Sequence, residues 1–157
     1  MEIQTAQGPL TIRLGGTIDR IDSKDDTLRI VDYKTGGSPK TPINIEQLFT
    51  PAETRPNYIF QTFLYASIMS RQQSLKVAPA LLYIHRAASE SYSPVIEMGE
   101  PRKTKIPVNN FAFFEDEFQE RLKTLLEEIY DEKESFTQTE DTKKCSFCDF
   151  KSICKRG

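Results

Sequence analysis

Apolar positions at helical spacing mark two stretches of the chain. Ile59, Phe60, Phe63, Leu64 and Ile68 fall on one face of a helix expected over residues 57–71. Phe114, Phe118, Leu122, Leu125 and Ile129 line one side of a second helix that begins near Asn110, a good N-cap residue. Residues 77–84 form a compact apolar run that reads as a buried strand. Upstream, residues 2–33 are β-rich, with turn signals at Gln7-Gly8-Pro9 and at Ser23-Lys24-Asp25-Asp26. Residues 36–56 are rich in proline and glycine and predict a long surface loop around a short helical piece. Residues 92–106 leave helix and strand undecided, with a short hairpin as one solution. After Asp131 the pattern breaks and a cysteine-bearing tail begins. No internal repeat or low-complexity segment interrupts this order.

Composition narrows the class. A chain of 157 residues with 38% hydrophobic and 28% charged positions is expected to be one soluble globular domain with a real core. No apolar run approaches the roughly 18–20 residues needed to span a bilayer, and no signal-peptide pattern opens the chain. The net charge of −2 gives no general affinity for nucleic acid, so any such contact must rest on a local patch. All three cysteines, Cys145, Cys148 and Cys154, sit near the C-terminus. Their odd number argues against a disulfide framework and for thiolate ligands in a reducing cytoplasm.

The segments that carry chemistry are Gly16-Thr-Ile-Asp19-Arg-Ile-Asp22 and Ile30-Val-Asp32-Tyr-Lys34-Thr. Strand side chains alternate faces, so Asp32 and Lys34 share one side of the second strand. If a hairpin closes through an even loop within residues 23–26, Asp22 opposes Thr27 and Asp19 opposes Ile30. Asp32 is then a diagonal neighbour of Asp19 on the same face, about 7–8 Å away. An odd loop would separate the two acids. Asp22 falls on the other face by parity and reads as structural, a partner for Arg20 or a helix end.

Two carboxylates and an amine suit phosphodiester cleavage. Hard carboxylate oxygens favour Mg²⁺ or Mn²⁺, which can acidify water and hold a phosphate oxygen. A lysine can stabilise the charge that builds on the phosphate. Acid-rich hairpins beside a lysine are also common as solvated surface, and that alternative stands on these residues alone. Against it, Asp32 follows Ile30 and Val31 in a strand expected to be central, where an unpaired carboxylate is expensive.

Read together, G-x-x-D-R-x-D and I-V-D-Y-K-T resemble the second and third motifs of the PD-(D/E)XK nucleases, in their RecB/AddB-like branch. A Gln-x-x-x-Tyr motif on a helix follows in that branch, matched by Gln61-Thr-Phe-Leu-Tyr65, whose i, i+4 spacing sets both residues on one helix face. The resemblance implies an α/β restriction-endonuclease-like core over residues 1–140, with a central mixed sheet flanked by helices. It implies Asp19, Asp32 and the Tyr33 backbone carbonyl as ligands of Mg²⁺ or Mn²⁺, with Lys34 as the catalytic amine. Gln61 and Tyr65 would position the substrate strand. The implied activity is DNA hydrolysis, exonucleolytic, in recombination or repair of DNA ends.

Cys145-Ser-Phe-Cys148-Asp-Phe-Lys-Ser-Ile-Cys154 is C-x2-C-x5-C and resembles the iron–sulfur staple of the same branch, which assigns residues 141–157 to a cysteine-rich tail. A [4Fe–4S] cluster needs four ligands. The resemblance therefore implies a larger parent that supplies a fourth cysteine and the missing first motif, with the cluster absent or incomplete in this piece and the activity expected of the parent and not assured of the piece alone. DNA and a helicase–nuclease subunit are the implied partners, in the cytoplasm and away from membranes. Two other readings stay open: a non-catalytic DNA-binding or scaffold module, and a zinc-binding interaction module in which His85 joins the cysteines.

Overall fold

A computed structural model describes residues 1–140 and 142–155, so the first residue of the cysteine tail and its last two lie outside the described residues. The chain opens on a hairpin of β1 (Glu2–Thr5) and β2 (Gly8–Thr11), paired Thr5 to Gly8 at its tip. The turn therefore falls at Ala6 and Gln7, one residue earlier than the Gln7-Gly8-Pro9 signal implied. Gly8 instead starts the second strand at φ 113°, a conformation open mainly to glycine. Ile3 points inward and is fully buried.

The central sheet follows. β3 (Arg20–Lys24) pairs antiparallel with β4 (Thr27–Lys34), and β4 pairs in parallel with β5 (Lys76–Tyr83), giving a mixed sheet of order β3-β4-β5. β4 is thus the central strand, and Ile30, Val31 and Asp32 in it are all buried. The β3–β4 register corrects the expected one: Asp22 faces Arg29 and Lys24 faces Thr27. The hairpin closes through Asp25 and Asp26 alone, with Asp25 at φ 53°. Aspartate tolerates that left-handed conformation better than most residues, which permits the tighter turn. The slip is two residues, so every side chain keeps its face.

The parallel β4–β5 pair requires a crossover, and residues between the strands supply it. This segment holds the short α1 (Glu46–Phe49) and the long α2 (Asn57–Ser70). α2 lies over one face of the sheet with Ile59, Thr62, Phe63 and Ala66 buried beneath it. Thr62 satisfies its hydroxyl by donating to the Tyr58 carbonyl one turn back (2.8 Å).

After β5 come a 3₁₀ turn, Ile84–Arg86, and a minimal hairpin of β6 (Glu97–Met98) and β7 (Ile106–Pro107). α3 (Ala112–Ile129) then packs against α1, α2 and β1. The N-cap falls on Phe111, without a side-chain capping bond, and Asn110 just before it accepts the Ala112 N–H (3.1 Å). α3 buries Phe118, Leu122 and Leu126, while Ile129 is 51% exposed. The inward stripe therefore follows Leu126 at its lower end rather than Ile129. Phe63, Phe111 and Phe118 interlock edge to face with centroids 5.2–6.0 Å apart, fixing the helices on each other. A short α4 (Thr142–Cys145) begins the tail. Among the described residues no helix is long and apolar enough to cross a membrane.

Candidate active site

The end of β4 and the middle of α2 bring four predicted residues together, Asp32, Lys34, Gln61 and Tyr65. Asp32 is only 4% exposed, because β4 is central and α2 covers its face. Burial pushes its carboxyl above the ordinary carboxylate range; Lys34 pulls the other way, and the nearby Asp19 charge adds to the rise. Lys34, two residues on and therefore on the same face, places Nζ 2.5 Å from Asp32 Oδ2. That contact is an ion pair, and Asp32 Oδ2 is buried with no partner beyond the lysine.

Lys34 is held from α2 as well. Its Nζ donates to Gln61 Oε1 (3.1 Å) and lies 4.3 Å from the centre of the Tyr58 ring. Gln61 Nε2 in turn donates to the Tyr65 hydroxyl (3.1 Å). The i, i+4 pair on α2 thus forms a relay of amide and phenol behind the lysine. Tyr65 is itself buried, so it braces Gln61 from behind instead of lying over the open site. Gly16 makes that position possible. A Cβ there would come within 2.7 Å of the Tyr65 ring, closer than real side chains approach.

Asp19 departs from the expected strand position. It sits in a bend one residue before β3, exposed, where continuing the register would set it across from Asp32 instead of opposite Ile30. Its Oδ2 accepts the Tyr33 N–H (2.8 Å), which ties the bend to β4. Asp22 lies on the other face, bound to Arg20 (2.8 Å) and Arg29 (2.6 Å). Both guanidiniums favour its charged form, and its carboxyl falls below the ordinary range, with the Arg29 hydrogen bond as the main cause.

The donor set suits a hard divalent cation. It combines the buried Asp32 carboxylate on β4, the exposed Asp19 carboxylate in the bend before β3, and the backbone of Tyr33 beside them. A lysine ammonium already supplies positive charge at Asp32. Among the described residues no group of three or more His, Cys, Asp or Glu side chains is placed to hold a metal. Cys145 is buried, Cys148 and Cys154 are partly so, and His85 is exposed against Tyr83 with ring centroids 6.0 Å apart. His85 and the cysteines are therefore not gathered into one cluster.

Two residues of this site escaped the sequence reading. Tyr58 lies three positions before Gln61, on the same helix face, and that spacing was its signal. Gly37, at φ 80°, turns the chain after Lys34 so that its backbone passes the Tyr58 ring; a Cβ would stand 3.3 Å from it.

The chain is an α/β protein with a mixed sheet flanked by helices, carrying Asp32 and Lys34 at the end of its central strand and Asp19 in the bend before the neighbouring one. The chain belongs to the PD-(D/E)XK nuclease superfamily, whose family model matches residues 1–155. Its architecture is that superfamily's restriction-endonuclease-like fold. Members generally use divalent metals and act on DNA as nucleases. No curated protein and no solved structure matches the chain.

Proposed function

We propose that this protein is a Mg²⁺- or Mn²⁺-dependent deoxyribonuclease of the RecB/AddB-like branch, acting exonucleolytically on DNA ends in recombination or repair. The observation that carries the reading is the buried Asp32 carboxylate paired with Lys34, whose ammonium Gln61 holds from α2. The order of the Asp19, Asp32-x-Lys34 and Gln61-x-x-x-Tyr65 motifs supports the branch. Asp19, Asp32 and the Tyr33 carbonyl would hold the cation, which would neutralise charge at the phosphate and acidify a neighbouring water.

The chain's own residues do the rest. Lys34 is oriented by three contacts, to Asp32, Gln61 and the Tyr58 ring, so its ammonium is confined near where charge builds on the phosphate. Gln61 sets the height of that ammonium and contacts the substrate strand. Tyr65 keeps the Gln61 amide from rotating, since its hydroxyl accepts one of the amide hydrogens. Cys145, Cys148 and Cys154 would supply three ligands of a [4Fe–4S] cluster in a larger, cytoplasmic helicase–nuclease assembly, as the C-x2-C-x5-C spacing suggests. On this reading residues 1–140 are the nuclease core and 141–157 the cluster-binding tail.

The test is cleavage of end-labelled DNA with and without Mg²⁺. Metal-dependent release of terminal nucleotides, reduced on the order of 10²-fold or more in Asp32→Ala and Lys34→Ala, is expected. Wild-type rates in either variant would refute the assignment. DNA binding with no cleavage under any divalent metal would favour a scaffold module.

A further inference from the structure

The parallel strands β4 and β5 open at their C-terminal ends into a cleft of about 540 Å³, within the range of small-ligand sites. In α/β sheets, this end of the strands is where ligands bind. The cleft adjoins the candidate site directly: Tyr83, in its floor, faces Lys34 across the β4–β5 ladder. A smaller recess lined by Gly37, Lys40, Glu53, Tyr58 and Tyr83 shares Lys40 and Tyr83 with the cleft, and its Tyr58 ring lies against Lys34.

Its walls are built. The Tyr92 hydroxyl accepts the Tyr83 N–H (2.8 Å) and donates to the Leu81 carbonyl (2.7 Å), and the Leu81 N–H donates to the Pro94 carbonyl (2.9 Å). These bonds pin one wall to β5. On the other side Lys40 Nζ donates to the Thr54 and Arg55 carbonyls (2.9 and 3.2 Å), so its charge is spent on no carboxylate. Leu81, Tyr83 and Ile59 give an apolar floor. Arg86 and His85 stand exposed on the lining, and among the described residues neither is ion-paired. Glu97 is the one carboxylate on that lining, in a chain whose net charge is −2.

We propose, resting on the nuclease reading, that this cleft binds the unpaired nucleic-acid strand adjoining the scissile phosphate. Arg86 contacts the sugar–phosphate backbone, and the His85 ring and apolar floor receive a base. An apolar floor flanked by cations selects single strands, because a base face is available to it only when unpaired. The local cations supply the patch that the overall charge does not.

The experiment measures binding of a fluorescent single-stranded oligonucleotide, about eight residues long, to the whole chain in EDTA, beside a blunt duplex of equal length. Arg86→Glu is expected to weaken single-strand binding about tenfold or more, the worth of one charge-assisted contact. It should also lower the salt slope by about 1, and affect the duplex less. Arg86→Lys should restore most of the affinity, and the melting temperatures of both variants should match wild type. Unchanged single-strand affinity in Arg86→Glu, equal losses for both nucleic acids, or no single-strand binding by wild type would overturn the cleft. Arg86-dependent binding in a wild-type protein that cleaves nothing with Mg²⁺ would uphold the cleft and remove the nuclease reading alone.

Discussion

Lys34 reaches back along its own strand to set Nζ 2.5 Å from Asp32 Oδ2, and Asp32 remains above the ordinary carboxylate range even so. Desolvation outweighs the lysine. In the metal-free protein Asp32 is thus a stability defect that Lys34 only partly offsets. Opposite effects on stability follow for the two residues. Asp32→Asn should raise the metal-free melting temperature at neutral pH, whereas Lys34→Ala should lower stability by about 3 kcal/mol by leaving a buried charge unpaired.

The same defect fixes a pH dependence. A folded-state pKa above the unfolded one means that the folded protein binds the extra proton between them, so stability falls as pH rises through that window. The gain from Asp32→Asn should therefore shrink as pH drops toward the ordinary carboxylate value, about 3.9. Thermal melts in EDTA across acid and neutral pH check this. A gain that is independent of pH would contradict the burial argument.

Asp22 should behave in the reverse sense. Its two arginine partners lower its pKa, so its contribution is present above the ordinary carboxylate range and lost as pH falls through the lowered value. Asp22→Asn is expected to destabilise by less than about 1 kcal/mol at neutral pH, since both arginines are substantially exposed. Cleavage should be untouched. An activity loss comparable to that of Asp32→Ala would mean that Asp22 belongs to the site.

The Gln61–Tyr65 relay predicts a separation of binding from turnover. Gln61→Ala frees the Lys34 ammonium but leaves both carboxylates, so Mn²⁺ affinity should hold while cleavage drops roughly 10- to 100-fold. Gly16→Ala should reach the same endpoint from behind, by pushing the Tyr65 ring, with a stability loss of about 1–3 kcal/mol. Calorimetric metal titration alongside cleavage kinetics separates these effects. Loss of metal affinity in Gln61→Ala would assign Gln61 to the cation instead.

For the tail, the proposed cluster predicts iron and acid-labile sulfide in protein purified without oxygen once a fourth cysteine ligand is supplied. Cys148→Ala there should lower the melting temperature more than it slows cleavage. Stoichiometric zinc with no iron would point to an interaction module.

Much of this arrangement was legible in the residue pattern. Strand parity put Asp32 and Lys34 on one face, and the i, i+4 spacing put Gln61 and Tyr65 on another that meets it. The spacing did not settle the hairpin offset, because several even loops share one parity and the choice fell to the left-handed Asp25. Nor did it disclose that Asp19 leaves the strand for a bend, or that Gly16 is small because Tyr65 lies against it. Those depend on approach between distant segments, which periodicity does not encode. The cleft at Arg86 was hidden for the same reason, since its cations come from separate loops.

On the proposed reading Asp19 and Asp32 share one divalent cation. Crystals soaked in Mn²⁺ and measured for anomalous scattering test it most directly. One peak between the two carboxylates and the Tyr33 carbonyl, absent in Asp32→Ala, is expected. No peak there at saturating Mn²⁺, or one that survives the substitution, would contradict it.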